Sequence, residues 1–113
     1  MKVALFVPSL GGGGAERVMV NLARGLAESG LAVDLVLASA EGPLVCLVPP
    51  EVRIVDLQAS RVLASLPSLV RYLRSERPQV LLSALDHANV VAICAKGLAR
   101  VPTRVVVSVH TTL

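Results

Sequence analysis

The sequence predicts an α/β fold: a Rossmann-like three-layer sandwich around a parallel sheet of about five strands, in the order 3-2-1-4-5. Three observations predict it. Short runs rich in Val and Leu alternate along the chain with stretches of helical period, a pattern that calls for right-handed crossovers. Hydrophobic residues make up 54% of the 113 residues while aromatics make up only 2%, so the apolar content is aliphatic, as in strands buried on both faces. A glycine run follows the first apolar segment directly, where such folds turn from strand into helix.

The elements follow in order. Residues 2–7 form a compact apolar run closed by Pro8 and the glycines. Over residues 15–29 the period becomes helical, with Ala15, Val18, Met19, Leu22, Ala23 and Leu26 as the inward face. Gly30 stands where a helix closes on a left-handed glycine, and Gly25, inside the helix, suggests close packing on the sheet. Residues 31–39 read as a second strand. Glu41-Gly42-Pro43 is turn chemistry, and residues 44–48 suggest a short helical turn before Pro49-Pro50. Residues 52–57 read as a third strand.

A helix is expected over residues 67–77, with Pro67 in its first turn, Leu69, Val70 and Leu73 inward, Arg71 and Arg74 in water, and Pro78 as its stop. Residues 79–83 form a fourth strand. Asp86 can cap a helix running to Ala99, with Val90, Ile93, Cys94 and Leu98 as its buried stripe and Cys94 packing as a small hydrophobe. A fifth strand starts at Arg104 and ends at Val109. The carboxyl ends of such strands carry the ligand sites. Here they hold residues 9–14, 83–89 and 108–112.

Bulk properties narrow the function classes. A formal charge of +3 and an isoelectric point near 9.4 owe much to Arg71, Arg74, Arg77, Arg100 and Arg104. These read first as solvated helix faces and ends, and second as attraction to an anionic membrane surface. With so few aromatics to stack on bases, nucleic acid is not an expected partner. Cys46 and Cys94 have neither metal nor redox spacing, so a reducing cytoplasm is the expected location. Residues 1–8 are too short an apolar run for a signal peptide, and no stretch approaches a membrane span.

The glycine run Gly11-Gly12-Gly13-Gly14-Ala15-Glu16-Arg17 is the first candidate site. Backbone N–H groups at such a turn can approach an anion, aided by the helix dipole. A dinucleotide fingerprint would need a third glycine where Arg17 or Glu16 stands, and a P-loop would need Gly-Lys-Ser/Thr. Neither fits, and the glycines alone are equally consistent with a ligand-free turn. Glu16 is stabilised by the dipole with or without a ligand. Asp86 reads as a cap, while His87 and Asn89 could contact an acceptor. No metal-ligand spacing is present.

Two ordered blocks carry a resemblance. VPSLGGGGAERVMVNLARGLAESG, residues 7–30, resembles the opening of family 4 (group 1) glycosyltransferases, with its "GGAER" element before an amphipathic helix. RPQVLLSALDHANVVAICAKGLARVPTRVVVSVHTTL, residues 77–113, is similar to that family's Pro-Asp-Val strand, the following helix and the strand ending in His. Gln79 and Leu31 depart from the family's usual Asp and His.

The resemblance implies the N-terminal, acceptor-side half of a GT-B fold, one domain spanning residues 1–113, with the donor-binding domain absent. It implies retaining transfer from a nucleotide-sugar to a glycan or lipid-linked acceptor, without metal or other cofactor, and no activity for this half alone. Gly12, Gly13 and Gly14 would place backbone N–H groups near the donor phosphates, and Glu16, which matches the family's acidic residue in the first helical turn, would also bind substrate. His110 would be catalytic, reaching the donor sugar or orienting the reacting groups. The competing reading is a stand-alone Rossmann-like nucleotide- or protein-binding module without catalysis. Either way the fifth strand is expected to leave an edge open to self-association.

Overall fold

A computed structural model describes residues 2–10, 14–84 and 86–108; the side chains of Ala15, Asp86, His87 and Ser108 also lie outside the described part. The strands are β1 (Lys2–Val7), β2 (Ala32–Leu37), β3 (Arg53–Asp56), β4 (Val80–Ala84) and β5 (Arg104–Ser108). Three α-helices connect them: α1 (Gly14–Glu28), α2 (Leu66–Glu76) and α3 (Asp86–Ala99). A 3-10 turn at Pro43–Leu47 stands between β2 and β3, and another at Leu63–Ser65 leads into α2. The sheet order is β3-β2-β1-β4-β5 and every pairing is parallel. Fold class and strand order are those the periodicity predicts.

Alternation within the strands sorts the core into two layers. Val3, Leu5 and Val7 of β1, with Val33, Leu35 and Leu37 of β2, pack beneath α1 through Met19, Val20 and Ala23. Ala4, Phe6, Val36 and Leu81 face the other way, against Leu69 and Leu73 of α2 and Ala88, Val91, Ala92 and Ala95 of α3. The helix assignments follow handedness: steps from β1 toward β3 put α1 on one face, and the return to β4 and β5 puts α2 and α3 on the other.

Helix ends show how local chemistry sets the boundaries. At the end of α1, Gly30 has φ of 93°, its N–H donates to Ala27 O at 3.0 Å, and the Leu31 N–H donates to Leu26 O at 3.2 Å. These are the paired bonds of a Schellman motif. Helices α2 and α3 stop instead on Arg77 and Arg100, with φ of 45° and 54°, a left-handed conformation that costs a non-glycine residue roughly 1 kcal/mol. Pro78 forces the first of these stops.

Three packing expectations are corrected. In α1, Val18 and Leu22 are exposed and Val20 is buried; the inward row runs through Glu16, Val20, Ala23 and Ala27. Gly25 is exposed, and a Cβ there would meet nothing within 4 Å, so it does not serve close packing. In α3 the stripe is reversed: Val90, Ile93, Cys94 and Leu98 are exposed, while Ala88, Val91, Ala92, Ala95 and Ala99 are buried. The small residues let α3 lie close to the sheet and to α2, and the large aliphatics turn outward.

On the α2 face, near the amino ends of the strands, Asp34 is only 3% exposed. Arg53 holds it with two hydrogen bonds, Nε to Oδ1 at 3.1 Å and Nη2 to Oδ2 at 2.8 Å. The Tyr72 hydroxyl donates to Oδ2 at 2.6 Å, and Lys2 Nζ stands 3.5 Å away. Glu76 completes the network, accepting from Lys2 Nζ at 2.6 Å and Arg53 Nη2 at 2.8 Å. Burial by itself would raise the Asp34 pKa; the hydrogen bonds from Arg53 and Tyr72, with the nearby positive charges, outweigh it and hold the carboxyl below its ordinary value. Tyr72 is pushed the other way, by burial first and the Asp34 carboxylate second.

Candidate functional site

The carboxyl ends of β1, β4 and β5 lie side by side, since these strands are consecutive in the sheet. Phe6 is in register with Ser83, and Ala84 with Ser108. Between β1 and β4 the helices change sides, α1 leaving over one face and α3 over the other. That reversal opens the crevice in which doubly wound sheets receive ligands, and α1 and α3 both begin at this edge, so the positive ends of their dipoles face it.

The chain entering the glycine run is fixed. Leu10 is fully buried; its N–H donates to Glu41 O at 2.9 Å, and its carbonyl accepts from the Leu44 N–H at 3.2 Å. The Pro8 carbonyl accepts from the Ser39 N–H at 3.0 Å. The chain after β1, as far as Leu10, is thereby tied to the loop after β2. Gly12 and Gly13 lie outside the described residues. Gly14 is the first residue of α1, and a Cβ built on it meets nothing within 4 Å. The protein's own packing therefore leaves open space at this helix terminus. Glu16, in the first turn, is half-buried on the row that continues to Val20 and Ala23.

Beside it, α3 begins immediately after β4. His87 lies in the first turn of α3, its side chain outside the described part, and Asn89 is buried at 8% exposure. Asn89 thus sits in the packing between α3 and its neighbours rather than on an open wall. His110 also lies outside the described residues. The described part of β5 ends at Ser108, in register with Ala84.

One polar group here escaped the sequence reading. Ser83, at the carboxyl end of β4, is fully buried, and its Oγ has no hydrogen-bond partner among the described residues. A lone Ser in an apolar strand carries no signal of this; only the register beside Phe6 and Val107 reveals it.

Other features do not compete for the site. A cavity of about 590 Å³ opens between β3 and α2, lined by Arg53, Asp56, Gln58, Arg71 and Tyr72 among others. It lies toward the far edge of the sheet from the β1–β4 crevice and is a broad groove beside the Asp34 network. Among the described residues no group of three or more His, Cys, Asp or Glu could hold a metal, and no helix is long and apolar enough to cross a membrane.

Comparison with known proteins bears on this geometry. No curated protein matches the chain. Among solved structures, the apo form of the lipopolysaccharide outer core galactosyltransferase WaaB superposes with a TM-score of 0.79 at 15% identity, covering 99% of this chain and 34% of that one. The likeness is one of fold, and the chain spans about a third of that protein's length. The model of Glycosyltransferase Family 4 matches residues 12–113, from the glycine run through Glu16, His87 and Asn89 to His110. The Rossmann-like sheet with its crevice at the β1–β4 reversal is thus the setting of a family sequence pattern that runs through nearly the whole chain, and the chain belongs to glycosyltransferase family 4.

Proposed function

We propose that this chain is the acceptor-side, N-terminal half of a retaining GT-B glycosyltransferase that takes its sugar from a nucleotide-sugar donor. The observation that carries the reading is the family match over residues 12–113, which takes in α1 and the carboxyl ends of β4 and β5 beside the crevice. Its acceptor is a glycan or a lipid-linked glycan, and a separate donor-binding domain faces the crevice across the carboxyl ends of β1, β4 and β5.

In this reading the N–H groups of Gly12, Gly13 and Gly14 sit near the donor phosphates. The open space at Gly14 and the positive end of the α1 dipole suit that role. Glu16 holds the first turn of α1 and borders the crevice. His110 touches the donor sugar or orients the reacting groups, and His87 lies toward the acceptor. The half by itself transfers no sugar, because most donor contacts lie in the other domain. The protein works in the cytoplasm, with the exposed Arg71, Arg74 and Arg77 available to an anionic membrane surface.

The test is sugar transfer by the active protein that contains this domain. His110→Ala should lower kcat by about 100-fold or more, as expected for loss of a group acting in the transition state, with little change in KM for the donor. The product should keep the anomeric configuration of the donor, read by NMR. Wild-type kcat in the His110 variant would remove the catalytic assignment, and an inverted product would exclude the retaining mechanism. Micromolar nucleotide binding by the 113-residue chain alone would favour a stand-alone binding module instead.

A further inference from the structure

The groove of about 590 Å³ between β3 and α2 has a size within the roughly 300–1,000 Å³ usual for small-ligand sites. Residues 53–58 form one wall, and α2 from Ser68 to Glu76 forms the other. Its amino end is closed by the bonds that join Arg53 to Asp34 and Glu76. Its other end lies past the carboxyl end of β3, at Gln58. All the pairings are parallel, so this end reaches the same edge of the sheet from which the β1–β4 crevice opens.

The charges in the groove favour an oxyanion. Arg53 bonds to Asp34 and Glu76 through Nε and Nη2, which fixes its guanidinium plane and leaves Nη1 for a further acceptor. Arg71, on the helix wall, is exposed and makes no ion pair among the described residues. The acids of the walls are already engaged. Glu76 accepts from Lys2 and Arg53, and the Asp56 carboxylate accepts from the N–H groups of Ala40 and Gln58. Arg71 is thus the uncompensated charge of the groove.

Gln58 adds backbone strain at the same place. Its φ of 54° is left-handed, at a cost of roughly 1 kcal/mol for a residue other than glycine. Two bonds hold it there: its own N–H donates to Asp56 Oδ1 at 2.8 Å, and the Ala59 N–H donates to Ala38 O at 2.8 Å. Residues held in such conformations gather where ligands are gripped, and here the strain sets an exposed amide side chain on the groove wall.

We infer that this groove binds an acidic saccharide, with its phosphate or carboxylate between Arg53 and Arg71 and its hydroxyls against Gln58, Ser68 and Ser75. Two guanidinium groups match an oxyanion, and sugar hydroxyls both donate and accept hydrogen bonds, as the amide and the serines do. That a sugar carries the anion rests on the acceptor reading above; the preference for an anion does not. The groove holds a part of the acceptor remote from the reacting end, since β2 separates β3 from β1 and the two strands lie roughly 10 Å apart.

Two-dimensional NMR titrations of this chain with glucose 6-phosphate, glucuronate, glucose and inorganic phosphate test the inference. One of the two acidic sugars should shift the signals of residues 53–58 and 68–76, with a Kd at least tenfold below those of glucose and inorganic phosphate. The tighter of the two identifies the oxyanion. Arg71→Ala should weaken that binding at least fivefold and leave the thermal unfolding midpoint unchanged. Gln58→Gly should weaken it while raising the midpoint, because glycine takes positive φ without strain; a purely structural Gln58 would leave binding intact. No binding of either acidic sugar, equal affinity for inorganic phosphate, or full affinity in either variant would overturn the inference. No donor is present in these titrations, so failure here leaves sugar transfer standing, and loss of the transfer reading leaves the anion site standing.

Discussion

At the scale of single residues, the charge network around Asp34 is where stability and pH are coupled. Its pKa is lowered in the folded state, so its contribution is complete above the unfolded value of about 3.9 and is lost as pH falls through the folded value. Acid unfolding should therefore begin below about pH 4. Asp34→Ala should cost about 3 kcal/mol at neutral pH, the low end for breaking a buried ion pair, because Arg53 is half-exposed and regains water. Denaturant titrations at pH 7 and pH 3 should show that gap narrowing in acid; a gap independent of pH would mean the carboxylate charge contributes nothing. Neither Asp34 nor Tyr72 stands out in the sequence. Asp34 sits inside an aliphatic strand, and its partners lie 19 and 38 positions away, brought together only by the strand register and the packing of α2.

At the scale of elements, boundaries were legible and faces were not. Lys2–Val7, the end of α1 at Glu28, the turn at Pro43–Leu47 and the end of α2 at Glu76 follow from local punctuation: Pro8, Gly30, Gly42-Pro43 and Pro78. Such signals act within a few residues and survive folding intact. Which side of α3 is buried depends on what approaches it. Apolar residues surround that helix, so periodicity offers two stripes, and the alanine side wins because α3 must fit closely against both sheet and α2. The glycines of α1 test the local account. Gly25→Ala should stabilise by about 0.5–1 kcal/mol through helix propensity, the site being open. Gly30→Ala should destabilise by about 1–2 kcal/mol, since φ there is 93°. Chemical denaturation of the two variants decides it, and equal effects at the two sites would contradict the capping geometry.

At the scale of the whole molecule, the order β3-β2-β1-β4-β5 gathers the carboxyl ends of β1, β4 and β5 and the starts of α1 and α3 along one edge. The fold and the strand ends were readable because alternating strands and helices admit few topologies. The family was not readable from glycines and lone histidines; it came from two ordered sequence blocks resembling a family whose pattern spans residues 12–113. The buried Asn89 shows the remaining difficulty, since a polar residue in the first turn of a helix looks the same in sequence whether it lines a crevice or packs against the neighbouring chain.

The central claim, that the crevice between β1 and β4 receives the phosphates of a donor, is tested most directly by a two-dimensional NMR titration of this chain with uridine diphosphate. The account predicts weak binding, with Kd of about 1 mM or above, equivalent to roughly 4 kcal/mol or less, and shifts concentrated at residues 11–17, 86–89 and 108–112. Shifts confined to the groove lined by Arg53, Arg71 and Tyr72, or an unperturbed glycine run at saturating nucleotide, would contradict it.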